Sequence, residues 1–284
     1  NPPPEDNMRL AIFQMNSVDR SVAENAALFD QACADAKSQN ADLIIFPEMA
    51  LSGYNIGAER IRRLAEPRNG PMVQTLRDMA KRHRIGVLCG FPERDDERVF
   101  NSAALINATG SVLSICRKAH LFGEVDRAAF SPADNLCPLV QLGDWTVGLA
   151  ICYDVEFPEL IRAYALAGAD IVLVPTANML PYIGVATRVV PTRAEENEIY
   201  VAYANRVGIE GTFEYCGLSC VTGPDGNDAA RASSSEEMIF AVVSKNEIRR
   251  VRSSLSHIKD RRIDLYPSGR GKSGSASIST RASK

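Results

Sequence analysis

The 284-residue sequence has no long apolar run and no strong excess of either charge. Although 45 % of its residues are hydrophobic, no run approaches the roughly 18 apolar residues that a membrane-spanning helix needs. Its 32 lysines and arginines nearly balance its 35 aspartates and glutamates, and the formal net charge is −3. Such a balance gives no general attraction for nucleic acid or for an anionic membrane. We therefore expect a globular protein with a small-molecule partner and with no nucleic-acid or membrane partner.

The given sequence also shows neither a signal-peptide pattern in its first residues nor a disulfide pattern. Its first six residues, which include three prolines, do not form the basic and then apolar pattern of a signal peptide. Its seven cysteines are odd in number and scattered, so we predict free thiols in a reduced, cytoplasmic protein. Cys216 and Cys220 are the closest pair, but no second pair or histidine cluster completes a zinc site. We predict that both are buried and that no metal is bound.

Cofactor motifs are absent as well, and histidine is scarce. The sequence contains no phosphate-binding Walker loop and no dinucleotide fingerprint, so it implies no cofactor. A Cys–His protease needs a histidine beside its nucleophile, and the three histidines are His83, His120 and His257. We predict a structural contact for His120 and disfavour protease chemistry.

Short β-rich runs alternate with helical patterns along the chain, which is typical of a layered α/β fold. A capping box of Ser21 and Glu24 predicts the start of a first helix. A second helix is predicted from Pro71 to the basic residues near 84, and a third over 157–167. The predicted strands cover residues 10–15, 43–46, 85–89, 102–107, 112–117, 146–151, 171–174, 200–205, 217–221 and 238–243.

The composition predicts a single domain over residues 8–268. We interpret residues 1–7 as an N-terminal extension or a tag remnant. Residues 269–284 are rich in glycine, serine and basic residues and carry almost nothing apolar. Such a segment cannot build a core, so we predict a tail that is flexible or lies on a partner subunit.

Three residues with catalytic potential follow predicted strands. Cys152 ends an apolar strand just before a predicted helix, where the helix dipole and free amides would lower the pKa of its thiol. Glu48 ends a second apolar strand, and shielding by its apolar neighbours would raise the pKa of its carboxyl group. Lys118 ends a third, where it could stabilise an oxyanion. Taken singly, a buried cysteine, a solvated acid and a solvated basic turn are the simpler interpretations.

Taken together, the three segments resemble the nitrilase superfamily of carbon–nitrogen hydrolases. The matching blocks are FPEMALSGY (46–54), RKAHLFGE (117–124) and ICYDVEFPE (151–159), and the resemblance extends over about residues 8–265. It implies an α/β fold, the four-layer αββα sandwich of that superfamily, and a homodimer or higher homo-oligomer. It also implies that Glu48 is the general base and acid, Lys118 the oxyanion stabiliser and Cys152 the nucleophile. Glu124 matches a further glutamate that orients the site.

The residues after the nucleophile indicate an amidase. Tyr153-Asp154 resembles the amidase branches, whereas nitrilases more often carry Trp-Glu there. An amidase would cleave a small aliphatic carboxamide to a carboxylic acid and ammonia through a cysteine thioester, with the Tyr153 amide assisting Lys118 at the oxyanion. The candidates for an apolar pocket are Tyr54, Phe122, Tyr153, Met179 and Tyr182, and Asn178 is a further candidate for binding the oxyanion or the substrate.

Several alternatives stay open from the sequence. An ω-amidase acting on dicarboxylic monoamides or an N-carbamoyl amino acid amidohydrolase would need a cation in the pocket, for which Arg188, Arg193 and Arg206 are candidates. A nitrilase is a further alternative. From a different class, the chain could be a non-catalytic or an ammonia-donating subunit of a complex.

Overall fold

The computed structural model describes residues 6–265, which form two six-stranded β-sheets flanked by helices. The strands are β1 (Asn7–Gln14), β2 (Leu43–Ile45), β3 (Gly86–Asp95), β4 (Arg98–Ile106), β5 (Val112–Arg117), β6 (Val140–Leu142), β7 (Trp145–Leu149), β8 (Ile171–Pro175), β9 (Tyr200–Ala204), β10 (Val207–Glu210), β11 (Phe213–Cys216), β12 (Cys220–Thr222), β13 (Asp228–Arg231) and β14 (Glu237–Ser244). The helices are α1 (Val22–Ser38), α2 (Ala58–Leu64), α3 (Pro71–His83), α4 (Gly123–Ala129), α5 (Pro158–Leu166), α6 (Val190–Asn197) and α7 (Lys245–Ser254). A 3₁₀ helix covers Cys152–Glu156 and a π-helical turn Val185–Val189.

The two sheets share one pairing pattern. The first has the order β14-β1-β2-β3-β4-β5 and the second the order β6-β7-β8-β9-β12-β13, with β10 and β11 forming a separate hairpin. In each six-stranded sheet three parallel strands are flanked by antiparallel neighbours: β1, β2 and β3 in the first, and β7, β8 and β9 in the second. Glu48 follows β2 and Cys152 follows β7, two of these parallel strands, whereas Lys118 follows β5, which pairs antiparallel with β4.

Side-chain alternation along the strands creates three apolar layers. In β1, Leu10 and Ile12 belong to the core between the sheets, whereas Ala11 and Phe13 pack against α1 and α3. In β8, Leu173 faces the same central core, and its neighbours face α5 and α6. The order of layers is helix, sheet, sheet, helix, which confirms the predicted four-layer αββα sandwich.

The three predicted helices are present. The capping box of Ser21 and Glu24 forms at the start of α1, α3 begins at Pro71, and α5 begins at Pro158. Cys216 and Cys220 are buried as predicted. They lie in two strands and not in one, because Gly217 adopts a φ of +63° between them.

The first strand begins at Asn7, which pairs with Ser244 in the first sheet. Most of the predicted N-terminal extension, and all of the predicted tail at 269–284, lie outside the described residues. Among residues 6–265, no helix is both long and apolar enough to cross a bilayer.

Candidate active site

Glu48 follows β2 and is completely buried. Its Oε1 accepts hydrogen bonds from Lys118 Nζ at 2.7 Å and from Asn101 Nδ2 at 2.6 Å. Gly90 in β3 permits this position, because a Cβ there would lie 2.3 Å from the Met49 nitrogen. Burial raises the pKa of Glu48, in the predicted direction, and the charge of Lys118 offsets part of that rise.

Lys118 follows β5, and its ammonium group lies between two buried carboxylates. Nζ is 2.7 Å from Glu48 Oε1 and 2.7 Å from Asp126 Oδ2. Burial alone would lower the pKa of Lys118, but the charges of Glu48 and Asp126 outweigh it and hold the pKa well above its ordinary value. Lys118 is therefore a permanent cation.

Asp126, and not Glu124, is the second carboxylate of the site. Both lie in α4, but two residues correspond to about 200° around a helix, so their side chains point to opposite sides. Asp126 is fully buried, whereas the side chain of Glu124 is 92 % exposed and lies 3.6 Å from Arg127 Nη1. The prediction for Glu124 is wrong. Because α4 was not among the predicted helices, its phase could not separate Asp126 from Glu124 in the sequence analysis.

Tyr54 contacts both Lys118 and Asp126. The buried ring of Tyr54 lies 5.6 Å from Lys118 Nζ, and its hydroxyl donates to Asp126 Oδ1 at 2.8 Å. The backbone N–H of Phe122 donates to the other oxygen of Asp126 at 2.7 Å. Tyr54 was predicted to line the pocket, and its hydrogen bond makes it a support for the lysine and aspartate pair.

Cys152 lies just after β7, at the first position of the 3₁₀ helix, with a φ of +48°. Left-handed backbone is rare for a residue with a side chain, and such strain is common at functional sites. The thiol interacts with Glu48 and Lys118 from the first sheet, and with the Thr176 hydroxyl and the Ala177 amide from the second. The sandwich thus brings all three predicted residues to one point.

The predicted pKa depression at Cys152 is wrong in direction. Burial and the charge of Glu48 raise the pKa of the thiol well above its ordinary value, although Lys118 opposes this. The reason lies in the local fold. Cys152 begins a 3₁₀ helix of only five residues, whose dipole is weak, and α5 begins separately at Pro158. The resting cysteine is therefore a thiol that needs a base.

Asp154 ties the Lys118 segment to the Cys152 segment, a function that the sequence analysis did not identify. Its buried carboxylate accepts hydrogen bonds from Ile151 N at 3.0 Å, from His120 N at 2.9 Å and from Ala119 N at 3.4 Å. The His120 ring also pairs with it at 2.7 Å and stacks on Phe157 at 3.8 Å. This supports the predicted structural contact for His120. The sequence did contain a signal for this function, because an acidic residue two positions after the nucleophile can accept hydrogen bonds from free backbone amides.

Aromatic side chains form a continuous series beside Cys152. Phe122 contacts Tyr182 and Tyr153 with ring centroids 5.7 and 5.4 Å apart, and Tyr153 contacts Phe157 at 4.9 Å. Phe122 and Tyr153 are partly buried, and Tyr182 is 48 % exposed. This series is suited to pack against a small apolar acyl group.

Asn178 and Met179 are both buried and have structural contacts. The Asn178 side chain donates to the Tyr182 carbonyl at 3.0 Å, and its backbone N–H donates to Asn205 Oδ1 at 2.8 Å. Met179 packs in an apolar cluster with Tyr54 and Tyr215. They shape the loop that carries Tyr182.

The three candidate arginines do not form a cationic pocket at Cys152. Arg193 donates to the backbone carbonyls of Val155 and Glu156, at 3.1 and 2.9 Å, and so fixes the end of the 3₁₀ helix. Arg188 is exposed. Arg206 is buried and lines a different cavity, between the start of α1 and the β10–β11 hairpin.

A carboxylate is present in this region instead. The half-buried Glu156 lies four residues after Cys152. Burial raises its pKa, and the charges of Lys118 and Arg193 oppose that rise.

A four-layer sandwich that holds a buried glutamate and lysine beside a strained cysteine defines a carbon–nitrogen hydrolase. The chain matches the carbon-nitrogen hydrolase family model over residues 9–253 and belongs to that family, in the amidase-like part of the nitrilase superfamily. It is an enzyme that hydrolyses carbon–nitrogen bonds.

Known proteins of the family are similar over nearly their whole length. A hydrolase in the pqqF 5′ region of Pseudomonas protegens is 43 % identical, over 91 % of this chain and 90 % of its own. An (R)-stereoselective amidase of a Pseudomonas species is 33 % identical, over 93 % and 97 %. The crystal structure of an amidase from Nesterenkonia sp. is 31 % identical, covers 93 % of this chain and 96 % of its own, and gives a TM-score of 0.78.

Proposed function

We propose that the enzyme hydrolyses small, uncharged aliphatic carboxamides to a carboxylic acid and ammonia through a thioester on Cys152. The observation that carries this proposal is the buried network of Glu48, Lys118 and Asp126 beside the Cys152 thiol. It combines a proton acceptor, a fixed cation and a nucleophile, which acyl transfer from an amide requires. The likeness to amidases supports the same chemistry.

In the first half-reaction, Cys152 transfers its proton to Glu48 as its sulfur forms a bond with the amide carbon. Glu48 suits this exchange because its Oε1 is held by Lys118 and Asn101, whereas its Oε2 has no hydrogen-bond partner among residues 6–265. Lys118 Nζ and the Tyr153 N–H, which has no acceptor within the first turn of its helix, stabilise the oxyanion. Glu48 then returns the proton to nitrogen, the carbon–nitrogen bond breaks, and ammonia leaves.

In the second half-reaction, a water molecule gives a proton to Glu48 and attacks the thioester carbonyl. The carbon–sulfur bond breaks, the carboxylic acid leaves, and Cys152 recovers its proton from Glu48. A carboxyl group with a raised pKa is suited to both directions of this transfer. Lys118 remains charged throughout, because Asp126 and Glu48 compensate it.

The charges around Cys152 favour a neutral acyl group. Arg193 is bound to backbone carbonyls, Arg188 is exposed, and Arg206 faces another cavity. Glu156 adds negative charge within electrostatic reach of Lys118. A dicarboxylic monoamide or an N-carbamoyl amino acid would bring its own carboxylate toward Glu156 without a matching cation. The aromatic series suits an apolar group.

The experiment is ammonia release from propionamide, butyramide, a dicarboxylic monoamide, an N-carbamoyl amino acid and butyronitrile. We expect turnover of the neutral amides and complete loss of turnover in a folded Cys152→Ala variant. Mass spectrometry of a quenched wild-type reaction should detect the acyl group on Cys152. Turnover of nitriles alone, or an undiminished rate in Cys152→Ala, would refute the proposal. A correctly folded wild-type protein inactive on every substrate would favour a non-catalytic subunit.

A further inference from the structure

An ion pair outside the active site joins Glu93 of β3 to Arg117, the last residue of β5. Arg117 Nη2 donates to Glu93 Oε1 at 2.6 Å, and Arg117 Nε donates to Glu93 Oε2 at 3.0 Å. Two hydrogen bonds between one guanidinium and one carboxylate fix the direction of both side chains. We call this pair the Glu93–Arg117 clamp.

Glu93 is fully buried, and each of its carboxylate oxygens has a further donor. Ser102 Oγ of β4 donates to Oε2 at 2.7 Å, and Arg68 Nε donates to Oε1 at 3.1 Å. Burial alone would raise the pKa of Glu93, but hydrogen bonds from Arg117 and Ser102 hold that pKa below its ordinary value. The carboxylate is therefore ionised at neutral pH and joins β3 to both β4 and β5.

The Arg117 side chain has further contacts with the same strands. Its guanidinium lies over the Phe100 ring of β4, 3.8 Å from the ring centroid, and Nη2 also donates to Asp95 of β3 at 2.7 Å. The side chain of Arg117 is 19 % exposed. The end of β5 is thus tied across β4 to β3 by side chains as well as by backbone pairing.

The clamp and the reacting groups lie on opposite faces of the first sheet. Ser102 pairs with Arg117 across β4 and β5, so their side chains share one face, and Glu93 binds both of them there. Asn101 precedes Ser102 in β4, so its side chain points to the other face, where it donates to Glu48. The clamp is therefore separated from a substrate at the active site by the sheet itself.

The clamp holds the strand pair from which two active-site donors extend. Lys118 directly follows Arg117, and its backbone N–H donates to the Asn101 carbonyl at 2.8 Å. This bond continues the pairing of β4 and β5 by one residue. The side chains of Lys118 and Asn101 both donate to Glu48 Oε1, at 2.7 and 2.6 Å. A shift of β5 along β4 would therefore move Lys118 relative to Glu48.

We propose that Glu93 and Arg117 are positioning residues for the reaction, because they fix the end of β5 against β4 and so hold Lys118 beside Glu48. The inference rests on the function proposed above, in which Lys118 stabilises the oxyanion. A buried ion pair is often no more stabilising than well-packed apolar side chains, but its paired hydrogen bonds select one geometry. Here that geometry sets the position of the catalytic cation.

The test compares Arg117→Gln with Arg98→Gln in ammonia release from butyramide. Arg98 lies over the same Phe100 ring, 4.6 Å from its centroid, but pairs with the exposed Asp134, so Arg98→Gln is the matched control. We expect kcat to fall about tenfold in Arg117→Gln with KM little changed, because the oxyanion donor is displaced and the acyl pocket is not. Arg117→Lys should recover only part of kcat, because an ammonium group cannot replace the planar fork of a guanidinium.

A second measurement does not need turnover. It is the pH dependence of Cys152 alkylation by iodoacetamide, followed by mass spectrometry of the Cys152 peptide. Burial raises the pKa of both Cys152 and Glu48, and the charge of Lys118 opposes that rise. Displacement of Lys118 should therefore move the alkylation profile of Arg117→Gln to higher pH, by about one unit. A clamp that only stabilised the fold would lower Tm and leave this profile in place.

Glu93→Gln tests the other member of the clamp and should have the same effects. Arg117→Lys, which keeps the charge, decides if neither glutamine variant folds. A wild-type kcat and an unshifted alkylation profile in folded Arg117→Gln would overturn the proposal, as would a change in KM alone or an equal loss in Arg98→Gln. If the wild-type chain released ammonia from no amide, the proposed function would fail, and the alkylation profile would still show whether the clamp positions Lys118.

Discussion

The two sheets contribute to the active site in different ways. The first supplies Glu48, Lys118 and Asn101, which are all buried and are joined side chain to side chain at 2.6 to 2.7 Å. The second supplies Cys152, which is set by a left-handed backbone turn, and the Thr176 and Ala177 donors beside it. The first sheet thus contributes polar and charged side chains, and the second contributes a nucleophile positioned mainly by its backbone.

This difference predicts which substitutions would impair each side of the active site. A buried ion network depends on every charge, because loss of one partner leaves the other uncompensated. A nucleophile placed by backbone depends on the loops that hold it. We therefore expect single-atom substitutions to act strongly on the first-sheet side, and more mildly on the supports of the second-sheet side.

The largest effect is expected for Glu48→Gln. The amide is nearly isosteric but cannot accept the Cys152 proton, so kcat should fall about 10²- to 10⁴-fold. Steady-state ammonia release measures the loss, and circular dichroism controls for folding. An undiminished kcat in a folded variant would remove Glu48 from the mechanism.

The pH profile of the wild-type enzyme provides the accompanying control. Below the pKa of Glu48 the group is protonated and cannot act as a base, so activity must rise as pH rises through that pKa. Burial raises the pKa, so the acidic limb of kcat/KM should lie above the ordinary glutamate value of about 4.3. A limb at the ordinary value would contradict the buried position of Glu48.

A comparison of Asp126→Asn with Glu124→Gln tests whether Asp126, and not Glu124, is the second carboxylate of the site. Asp126→Asn removes the second carboxylate from Lys118 Nζ, and breaking such a buried pair typically costs about 3–5 kcal/mol. We expect a fall in kcat of about 100-fold and a clearly lower Tm. Glu124 is 92 % exposed, so Glu124→Gln should leave both unchanged. The reverse result would restore the interpretation made from the sequence.

The catalytic strand ends were predictable because they depend on local pattern. Apolar runs ending at Glu48, Lys118 and Cys152 indicate strands that deliver polar groups to a sheet edge, and Ser21 and Pro71 mark helix starts. The sandwich itself followed from the resemblance of three motif blocks. Short elements with half-exposed faces were missed, among them α2, α4, β10 and β13.

What could not be predicted depends on contacts far apart in the chain. Glu124 and Asp126 are both acidic residues after Lys118, and only the phase of α4 separates them. The pKa of Cys152 depends on burial and on Glu48, which lies more than 100 residues away along the chain. The cavity that Arg206 lines joins residues near 20, 55 and 206, and no local pattern connects them.

Asp154→Asn tests whether Asp154 positions the Cys152 segment, which the second sheet contributes. The amide keeps the shape but loses the charge that holds Ile151 N and His120, a loss of about 1–3 kcal/mol of hydrogen bonding. We expect kcat to fall about tenfold with KM little changed, because Asp154 positions loops and touches no substrate. Asp96→Asn, in an exposed turn, is the control. A change in KM alone would instead place Asp154 at the substrate.

The smallest effect concerns the charge of the substrate. Glu156→Gln removes a half-buried carboxylate close enough to influence Lys118, and one charge in a partly solvated site is worth about 1 kcal/mol. We expect kcat/KM for a dicarboxylic monoamide to rise about fivefold relative to butyramide. In the wild-type enzyme, high salt should screen this charge and so also raise kcat/KM for the dicarboxylic monoamide relative to butyramide. If the ratio stays constant in the variant, Glu156 does not face the acyl group, and selection for neutral amides must come from the aromatic series around Phe122.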